Sequence, residues 1–344
     1  MNYLKSRHTL GLFVLLILLI VTFLLSLCFG AISISLHDIY DAVYKILTAP
    51  DQLSLVQRIF IDIRLPRAIA CVVVGASLAG SGVLMQALFR NPIVEPGLIG
   101  TSSGAAFGAS LYFVLGASLK FTASEWTLPI AACIGGVIST SLVFLLAKNK
   151  VHGKSSVTSL LLTGIAINAI FLSAVGFFSY LARDPQARSI TFWNLGTLSG
   201  ASWHSVAIMF ISTTLCFLAA RRYTKQLNAL MMGEEEAFFI GVDIRKLKLI
   251  IMVINVILVA VATAFVGVIS FVGLVVPHLL RLSFGSDNRF LLLASALLGG
   301  VLLTLADLVA RLALAPAELP IGIVTALVGV PAFIVMLRKS NYYF

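Results

Sequence analysis

The segment from Leu249 to Leu280 contains 32 consecutive residues without a Lys, Arg, Asp or Glu, and it stops at Arg281. A single helix of that length would be about 48 Å long, whereas the hydrocarbon core of a bilayer is about 30 Å thick. The chain must therefore double back. Gly267, Gly273 and Pro277 are the residues at which the sequence predicts the break. The segment is thus counted as two membrane-spanning helices.

Hydrophobic residues form 60% of the 344-residue chain, and charged residues form only 11%, about half the fraction typical of soluble proteins. Nine windows free of charged residues are long enough for spans, and the doubled segment raises the count to ten. The windows are 9–36, 68–89, 96–119, 126–147, 155–182, 189–220, 249–280, 290–306 and 319–337. We therefore predict an all-α polytopic membrane protein with about ten transmembrane helices, forming one domain over residues 1–344.

The distribution of positive charge selects the topology. With ten spans and the N-terminus inside, 16 of the 24 basic residues fall on the cytoplasmic side, as the positive-inside rule requires. These are Lys5, Arg7, Arg90, Lys148, Lys150, Lys154, Arg221, Arg222, Lys225, Arg245, Lys246, Lys248, Arg281, Arg289, Arg338 and Lys339. Nine spans would leave Arg338 and Lys339 outside. Both termini are therefore predicted to be cytoplasmic, and the net charge of +10 is an orientation signal that needs no nucleic-acid partner.

Two polar segments interrupt the apolar windows. Segment 37–65 is predicted to be an outer loop with a short amphipathic helix, and segment 221–248 a cytoplasmic loop. Within the second, three glutamates and two phenylalanines between Met232 and Gly241 predict a short amphipathic helix that ends at the glycine. This segment is either a solvated part of the loop or a docking element for a cytoplasmic partner.

No energy source is visible in the chain itself. Gly153-Lys154-Ser155 resembles the end of a phosphate-binding loop, but Lys148 stands where the first glycine is needed. Asp307 is the only acid well inside a predicted span, and Arg311 lies one helical turn away, where it can neutralise the carboxylate. Energy is therefore expected from outside the chain, with an ion-coupled carrier as the alternative.

An intramembrane enzyme is a further alternative. Gly80-Ser81-Gly82 resembles the motif of an intramembrane serine protease, with His204 or His278 as the base, but Ala79 replaces the first glycine of that motif. Small residues of this kind ordinarily let membrane helices pack closely, as do the overlapping G-x-x-x-G units at Gly100–Gly108. The four cysteines lie inside predicted spans with neither disulfide nor metal-site spacing: Cys28, Cys71, Cys133 and Cys216.

Several long motifs together resemble the FecCD-type permease family, the membrane subunits of ABC importers for iron-siderophores, haem and cobalamin. They are Arg64–Arg67, Gly82–Pro92, Glu95–Gly100, Gly267–Leu282 and Ala306–Gly322. The similarity extends from about residue 10 to the C-terminus. It implies the type II ABC importer permease fold and a bacterial inner-membrane location. It also implies a homodimer with a central pathway, two cytoplasmic ATPase subunits and a soluble or lipid-anchored binding protein. This chain would bind no cofactor, because ATP and Mg belong to the ATPases.

The resemblance also implies roles for individual residues. Arg64, Arg67 and Arg311 match arginines that receive acidic residues of the binding protein. The coupling loop that contacts the ATPases matches Gly233, Glu234, Glu235, Glu236, Ala237 and Gly241. Two cytoplasmic gate loops match Asn91 and Ile93, and Val157 and Thr158. The expected mechanism is alternating access, with the fifth and tenth spans as walls of the pathway.

The prediction of the cargo rests on one segment. Residues Arg183–Trp203 resemble haem-type permeases, in which a charged, Gln-containing turn precedes a Thr-Phe-Trp sequence. Haem is therefore the preferred cargo, followed by a ferric siderophore and then by cobalamin.

Overall fold

The fold is known from a computed structural model that describes residues 2–30, 32–48, 53–118, 124–147 and 157–339. All regular elements in these ranges are helical. They are α1 (Asn2–Cys28), α2 (Leu36–Thr48), α3 (Leu55–Ile59), α4 (Leu65–Phe89), α5 (Thr101–Ser118), α6 (Thr127–Leu146), α7 (Val157–Leu181), α8 (Asp184–Asn194), α9 (Trp203–Met232), α10 (Glu234–Phe239), α11 (Ile244–Val266), α12 (Val272–Phe284), α13 (Asn288–Leu312) and α14 (Ile321–Lys339).

Ten of these helices are apolar and follow the order of the predicted spans. Seven have the length and composition to cross a membrane, with α3 and α4 counted as one continuous helix. The other three, α5, α12 and α14, are apolar but shorter, and α12 has only 13 residues. The predicted all-α bundle of about ten membrane helices is therefore confirmed within the described ranges. We call the end that holds Phe89, Met232 and Phe284 the predicted inner end, and the opposite end the predicted outer end.

The doubled-back segment divides at Gly267. Helix α11 ends at Val266, and Gly267 adopts a φ of +74°, a conformation that favours glycine. A side chain at Gly267 would also collide with the carbonyl oxygen of Trp193. Phe271, with a φ of +70°, then precedes α12. The predicted hairpin is thus present. Gly273 and Pro277, which were also predicted as breaks, lie inside α12 instead.

A close contact between α12 and α4 explains how α12 tolerates Pro277. Proline has no N–H to donate to the residue four positions earlier, which is Gly273. The carbonyl group of Gly273 lies against Gly82 of α4, so close that a Cβ on Gly82 would collide with it. The freed carbonyl therefore faces the backbone of a neighbouring helix rather than lipid, as membrane proteins require.

Helix α4 is the centre of the bundle, and 83% of its membrane window is buried. Its Gly75 lies directly against Gly299 of α13. In the same way, Gly104 and Gly108 of α5 lie against the carbonyl groups of Gly135 and Ala131 of α6. The small residues of the sequence therefore mark close backbone contacts, as predicted.

Two predicted spans have the wrong boundaries. Window 189–220 is interrupted, because α8 ends at Asn194 and α9 begins at Trp203. The intervening backbone is uncharged but is held by long-range bonds such as Thr197 N–H to Val266 O at 2.8 Å. The span predicted to end at 306 continues to Leu312, since the charges of Asp307 and Arg311 are paired within the bundle.

The two polar segments are more helical than predicted. The cytoplasmic segment 221–248 is not mainly a loop, because α9 continues to Met232. In the outer segment 37–65, α3 continues through a π turn (Phe60–Arg64) into α4. The turn arises because Pro66 cannot donate a helical hydrogen bond, and Leu65 N–H reaches back five residues to Phe60 O. Pro66 is therefore the second residue of α4 and follows the π turn without interrupting the helix.

Candidate functional site

Arg64 lies in the π turn and binds the backbone that follows α1. Its Nη1 donates to the carbonyl oxygens of Phe29 at 2.6 Å and Leu27 at 3.3 Å, and its Nη2 donates to Ile32 O at 2.6 Å. The residue is only 8% exposed. These carbonyl groups at the end of α1 lack helical partners, so a guanidinium both satisfies them and complements the helix dipole.

Arg67 and Arg311 share one carboxylate, that of Asp307. Arg67 donates to Asp307 Oδ1 from Nε at 3.0 Å and from Nη2 at 2.9 Å, while Arg311 Nε donates to Oδ2 at 2.9 Å. Arg67 Nη1 also donates to Glu318 Oε1 at 2.8 Å. The Asp307 side chain is 1% exposed and that of Glu318 is 40% exposed. We call these four residues the arginine–carboxylate cluster.

The three arginines predicted to receive a binding protein are therefore buried. Arg311 makes further bonds to Ser26 Oγ at 2.8 Å and Phe29 O at 3.0 Å. Receiving an acidic residue of another protein would require accessible guanidinium groups, whereas Arg64, Arg67 and Arg311 already have acceptors inside the chain. A carboxylate of another protein would have to replace one of these acceptors. Their docking role remains a prediction.

The predicted coupling residues form a separate short helix, α10. It begins after Gly233, whose φ is +156°, and Gly241, with a φ of +85°, follows its end. Glu234 lies in its first turn, where negative charge complements the helix dipole, and accepts a hydrogen bond from Lys248 Nζ at 2.8 Å. Ala237 is completely buried, so it anchors α10 on the bundle.

Apolar side chains project from this same helix. Phe238 is 69% exposed, Phe239 is 83% exposed and Ile240 is 67% exposed, next to Met232 at the end of α9. We call these four residues the α10 knob. Glu235 and Glu236 are exposed beside it. An apolar patch rimmed by acids beyond the predicted inner end is typical of a protein interface.

The predicted gate residues also lie at the predicted inner end. Arg90 ends α4 with a φ of 50°, and the side chain of Asn91 then accepts a hydrogen bond from Ile93 N–H at 3.0 Å. Ile93 is 38% exposed. Val157 and Thr158 begin α7. The chain just before them, 148–156, lies outside the described residues, together with Gly153-Lys154-Ser155.

Glu95 opens the Glu95–Gly100 motif but had no predicted role of its own, and it connects this gate segment to the hairpin. Its Oε1 accepts a hydrogen bond from the N–H of Phe271 at 3.0 Å, where the chain enters α12. Gly329 of α14 lies against the Phe271 side chain. Glu95 therefore links the gate segment to a predicted wall of the pathway. Its position between two charge-free windows was the available signal.

A cavity of about 360 Å³ adjoins Glu95. Its wall includes Ser103 of α5 and Asn168 of α7, as well as Leu98 and Ser270. Asn168 Nδ2 donates to Leu98 O at 2.9 Å, and its Oδ1 accepts from Ser103 Oγ at 2.5 Å. Both ends of the Asn168 amide are thus bonded within this wall. The described residues contain no cluster of three or more His, Cys, Asp or Glu able to hold a metal ion.

Among the described residues, the serine and the histidines proposed for an intramembrane protease do not pair with each other. Ser81 is fully buried and donates a short hydrogen bond to Asn255 Oδ1 rather than to a histidine. His204 stacks edge-on against Trp126, and His278 lies within α12. The four cysteines are free thiols.

Asp287, immediately before α13, closes a polar network at the predicted inner end. Desolvation acts to raise the pKa of Asp287, but hydrogen bonds from Arg289 and Asn228 outweigh it and lower the pKa to about 2. Asn228 Nδ2 donates to Asp287 Oδ1 at 2.8 Å, and Asn228 Oδ1 accepts from the Asn288 backbone N–H at 2.9 Å. The network joins the end of α9 to the start of α13.

Comparison with known proteins gives consistent results. The sequence profile of the FecCD transport family matches residues 18–339. The hemin transport system permease protein HmuU of Yersinia pestis is 41% identical over 329 residues, which is 95% of each chain. The vitamin B12 import system permease protein BtuC of Vibrio vulnificus is 37% identical over 314 residues, covering 90% of this chain and 92% of that protein.

A solved structure described as an inward-facing conformation of a metal-chelate type ABC transporter aligns with a TM-score of 0.83 and 33% identity. The alignment covers 96% of this chain and 99% of that one. The family profile, the long relatives and the shared helical architecture agree with the resemblance seen in the sequence motifs. The chain therefore belongs to the FecCD transport family and is a membrane-spanning ABC importer permease.

Proposed function

We propose that this chain is the permease subunit of a haem importer of the bacterial inner membrane. Two copies would form the pathway, with two cytoplasmic ATPase subunits at the inner end and a soluble or lipid-anchored binding protein at the outer end. The observation that carries this proposal is the α10 knob. It is a solvent-exposed apolar surface at the end where ATPases would bind.

The contacts of α10 suit a coupling element. Ala237 is buried against the bundle, while Lys248 of α11 holds Glu234. Helix α11 leads directly into the Gly267–Phe271 hairpin, whose residues line the cavity beside Glu95. Movement imposed on α10 by an ATPase would thus reach the cavity through one continuous helix. Nucleotide state would then select between outward- and inward-open pathways, provided that the ATPases contact the two states differently.

Haem is favoured as cargo by the likeness of Arg183–Trp203 to haem-type permeases and by the 41% identity with HmuU. The margin over the 37% identity with BtuC is small, so cobalamin and ferric siderophores are the competing cargoes. Asn168 and Ser103 are bonded to each other within the cavity wall, so neither is left unpaired for a ligand. We assign the cargo affinity to the binding protein.

Transport by the reconstituted complex tests the proposal. Proteoliposomes holding this chain and its ATPase, with the cognate binding protein outside, would be offered haem, cobalamin and a ferric siderophore separately. We expect ATP-dependent uptake of haem alone. Uptake of cobalamin or siderophore in its place would reassign the cargo. Uptake that needs no ATPase and collapses with a protonophore would instead identify an ion-coupled carrier.

The outer arginines enter the proposal in a restricted form. Arg67 Nη1 is bound by half-exposed Glu318, so an acidic residue of the binding protein would displace Glu318 and leave buried Asp307 in place. Glu318→Gln should then strengthen capture of the binding protein several-fold, as measured by surface plasmon resonance. Glu125→Gln, at the same end and exposed, is the matched control. Equal affinities for wild type and Glu318→Gln would exclude Arg67 as a docking residue.

A further inference from the structure

A groove between α4, α9 and α13 is not used by the proposed transport mechanism. Its volume is about 310 Å³. The lining is almost entirely apolar along most of its length and includes Val73 of α4, Phe210 and Phe217 of α9, and Leu293 and Ala296 of α13. Phe210 is 55% exposed and Leu293 is 43% exposed, so the groove opens to the surface of the chain.

Two arginines, Arg221 and Arg289, close one end of this groove. Arg221 follows Trp203, the first residue of α9, by 18 positions, or about 27 Å of helix. Arg289 is the second residue of α13. Both therefore lie at the predicted inner membrane surface, while the apolar lining extends from them into the hydrocarbon layer.

This pair of arginines carries a net positive charge. Arg289 is paired with Asp287, Nη2 to Oδ2 at 2.8 Å, and its side chain is still 58% exposed. Arg221 is exposed, and the described part of the chain gives it no carboxylate within salt-bridge distance. An occupant with an anionic head and an apolar tail would match both parts of the groove. Basic pockets between membrane helices on the cytoplasmic side bind the head groups of anionic lipids in this way.

We propose that the α4–α9–α13 groove binds an anionic phospholipid, with its phosphate between Arg221 and Arg289 and an acyl chain along Phe210, Phe217 and Ala296. The lipid would hold α9, which continues into the α10 coupling helix, against α4 and α13. The site does not depend on the identity of the cargo. Its ligand is a component of the membrane itself.

Native mass spectrometry of the purified chain tests this proposal. The chain would be exchanged into equimolar phosphatidylglycerol and phosphatidylcholine before analysis. We expect wild type to retain one phosphatidylglycerol with about a tenfold preference, and the double variant Arg221→Gln/Arg289→Gln to lose that preference. Arg222→Gln removes the neighbouring charge, which does not line the groove, and should retain it. Ala296→Phe should remove the bound lipid while leaving both arginines in place.

Several results would overturn the site. One is equal phosphatidylglycerol retention by wild type and the double variant, both confirmed as folded by their melting temperatures. Another is an equal loss in Arg222→Gln. Thr214 is an exposed residue of the groove lining. A disulfide between two copies carrying Thr214→Cys, absent from the unsubstituted chain, would show that a second copy covers the groove in place of lipid.

Discussion

The two ends of the bundle treat their charged and apolar residues in opposite ways. At the predicted outer end, Arg67 and Arg311 are buried and both bind the buried carboxylate of Asp307. At the predicted inner end, Phe238 and Phe239 project from α10 with most of their surface exposed. Residue type alone would assign docking to the arginines and packing to the phenylalanines. Their contacts instead favour a structural role for the arginines and a docking role for the phenylalanines.

The difference has a physical origin. A buried guanidinium that lost its carboxylate would be very costly, so the outer cluster holds α4 and α13 together and resists rearrangement. An exposed phenylalanine gains free energy only when a partner covers it. We therefore expect the arginine–carboxylate cluster to stabilise the fold and the α10 knob to contribute free energy to association with a partner.

The largest effect is expected from Asp307→Asn, which tests whether the cluster at the predicted outer end stabilises the fold. Removing the shared carboxylate leaves Arg67 and Arg311 buried with reduced compensation, at a cost of about 3–5 kcal/mol in the free energy of unfolding. Fluorescence-detected size exclusion and thermal unfolding should show little folded protein. Glu318→Gln, which alters the half-exposed member of the cluster, should cost about 1 kcal/mol or less. Normal stability of Asp307→Asn would mean that the cluster is not structural.

The second-largest effect is expected at the predicted inner end and tests whether the α10 knob binds the ATPase. Phe238→Ser/Phe239→Ser removes apolar surface that an ATPase would cover, at about 2 kcal/mol for each side chain. The ATPase should no longer copurify, while the melting temperature of the permease stays unchanged because both rings are exposed. Glu235→Gln, on the same short helix, is the control. Retention of the ATPase by the double variant would contradict the assignment of the knob.

The sequence predicted most of the fold because the bilayer limits the alternatives. Charge-free windows gave the ten apolar helices, and the 32-residue run required the hairpin at Gly267. The boundaries were less predictable. The break after Asn194 carries no charge, and α13 continues through Asp307 only because its charge is paired inside the bundle.

The sequence likewise predicted some contacts of the site residues and not others. The pairing of Asp307 with Arg311 followed from their spacing of four, whereas Arg67 is 240 residues away from Asp307, and no local pattern reveals that contact. No local pattern reveals the contact of Glu95 either, because its partner is the backbone N–H of Phe271. Sequence patterns identify neighbours along a helix, and only tertiary packing shows whether a charge remains free.

A third test concerns the role of the Glu95 carboxylate. Glu95 accepts the Phe271 N–H in a partly buried position, so Glu95→Ala leaves that donor unpaired and should cost about 1–2 kcal/mol in the free energy of unfolding. Glu95→Gln keeps an acceptor oxygen and should recover most of that loss. If Glu95 also links the gate to α14, Glu95→Ala should lower transport per ATP hydrolysed more than Glu95→Gln does. Equal coupling in both variants would leave Glu95 a purely structural role.

The smallest effect concerns Asp287, whose side chain is partly exposed, unlike that of Asp307. Its side chain accepts the N–H of Arg289 at the start of α13 at 3.0 Å, and loss of such a cap in Asp287→Ala should cost about 1 kcal/mol. Because the pKa of Asp287 is lowered to about 2, its stabilising contribution is complete above the unfolded value of about 3.9 and is lost as the pH falls through 2. The gap in melting temperature between wild type and Asp287→Ala should therefore be constant from pH 7 to pH 5 and should narrow below pH 4. A gap that narrows near pH 6 would assign the effect to another group.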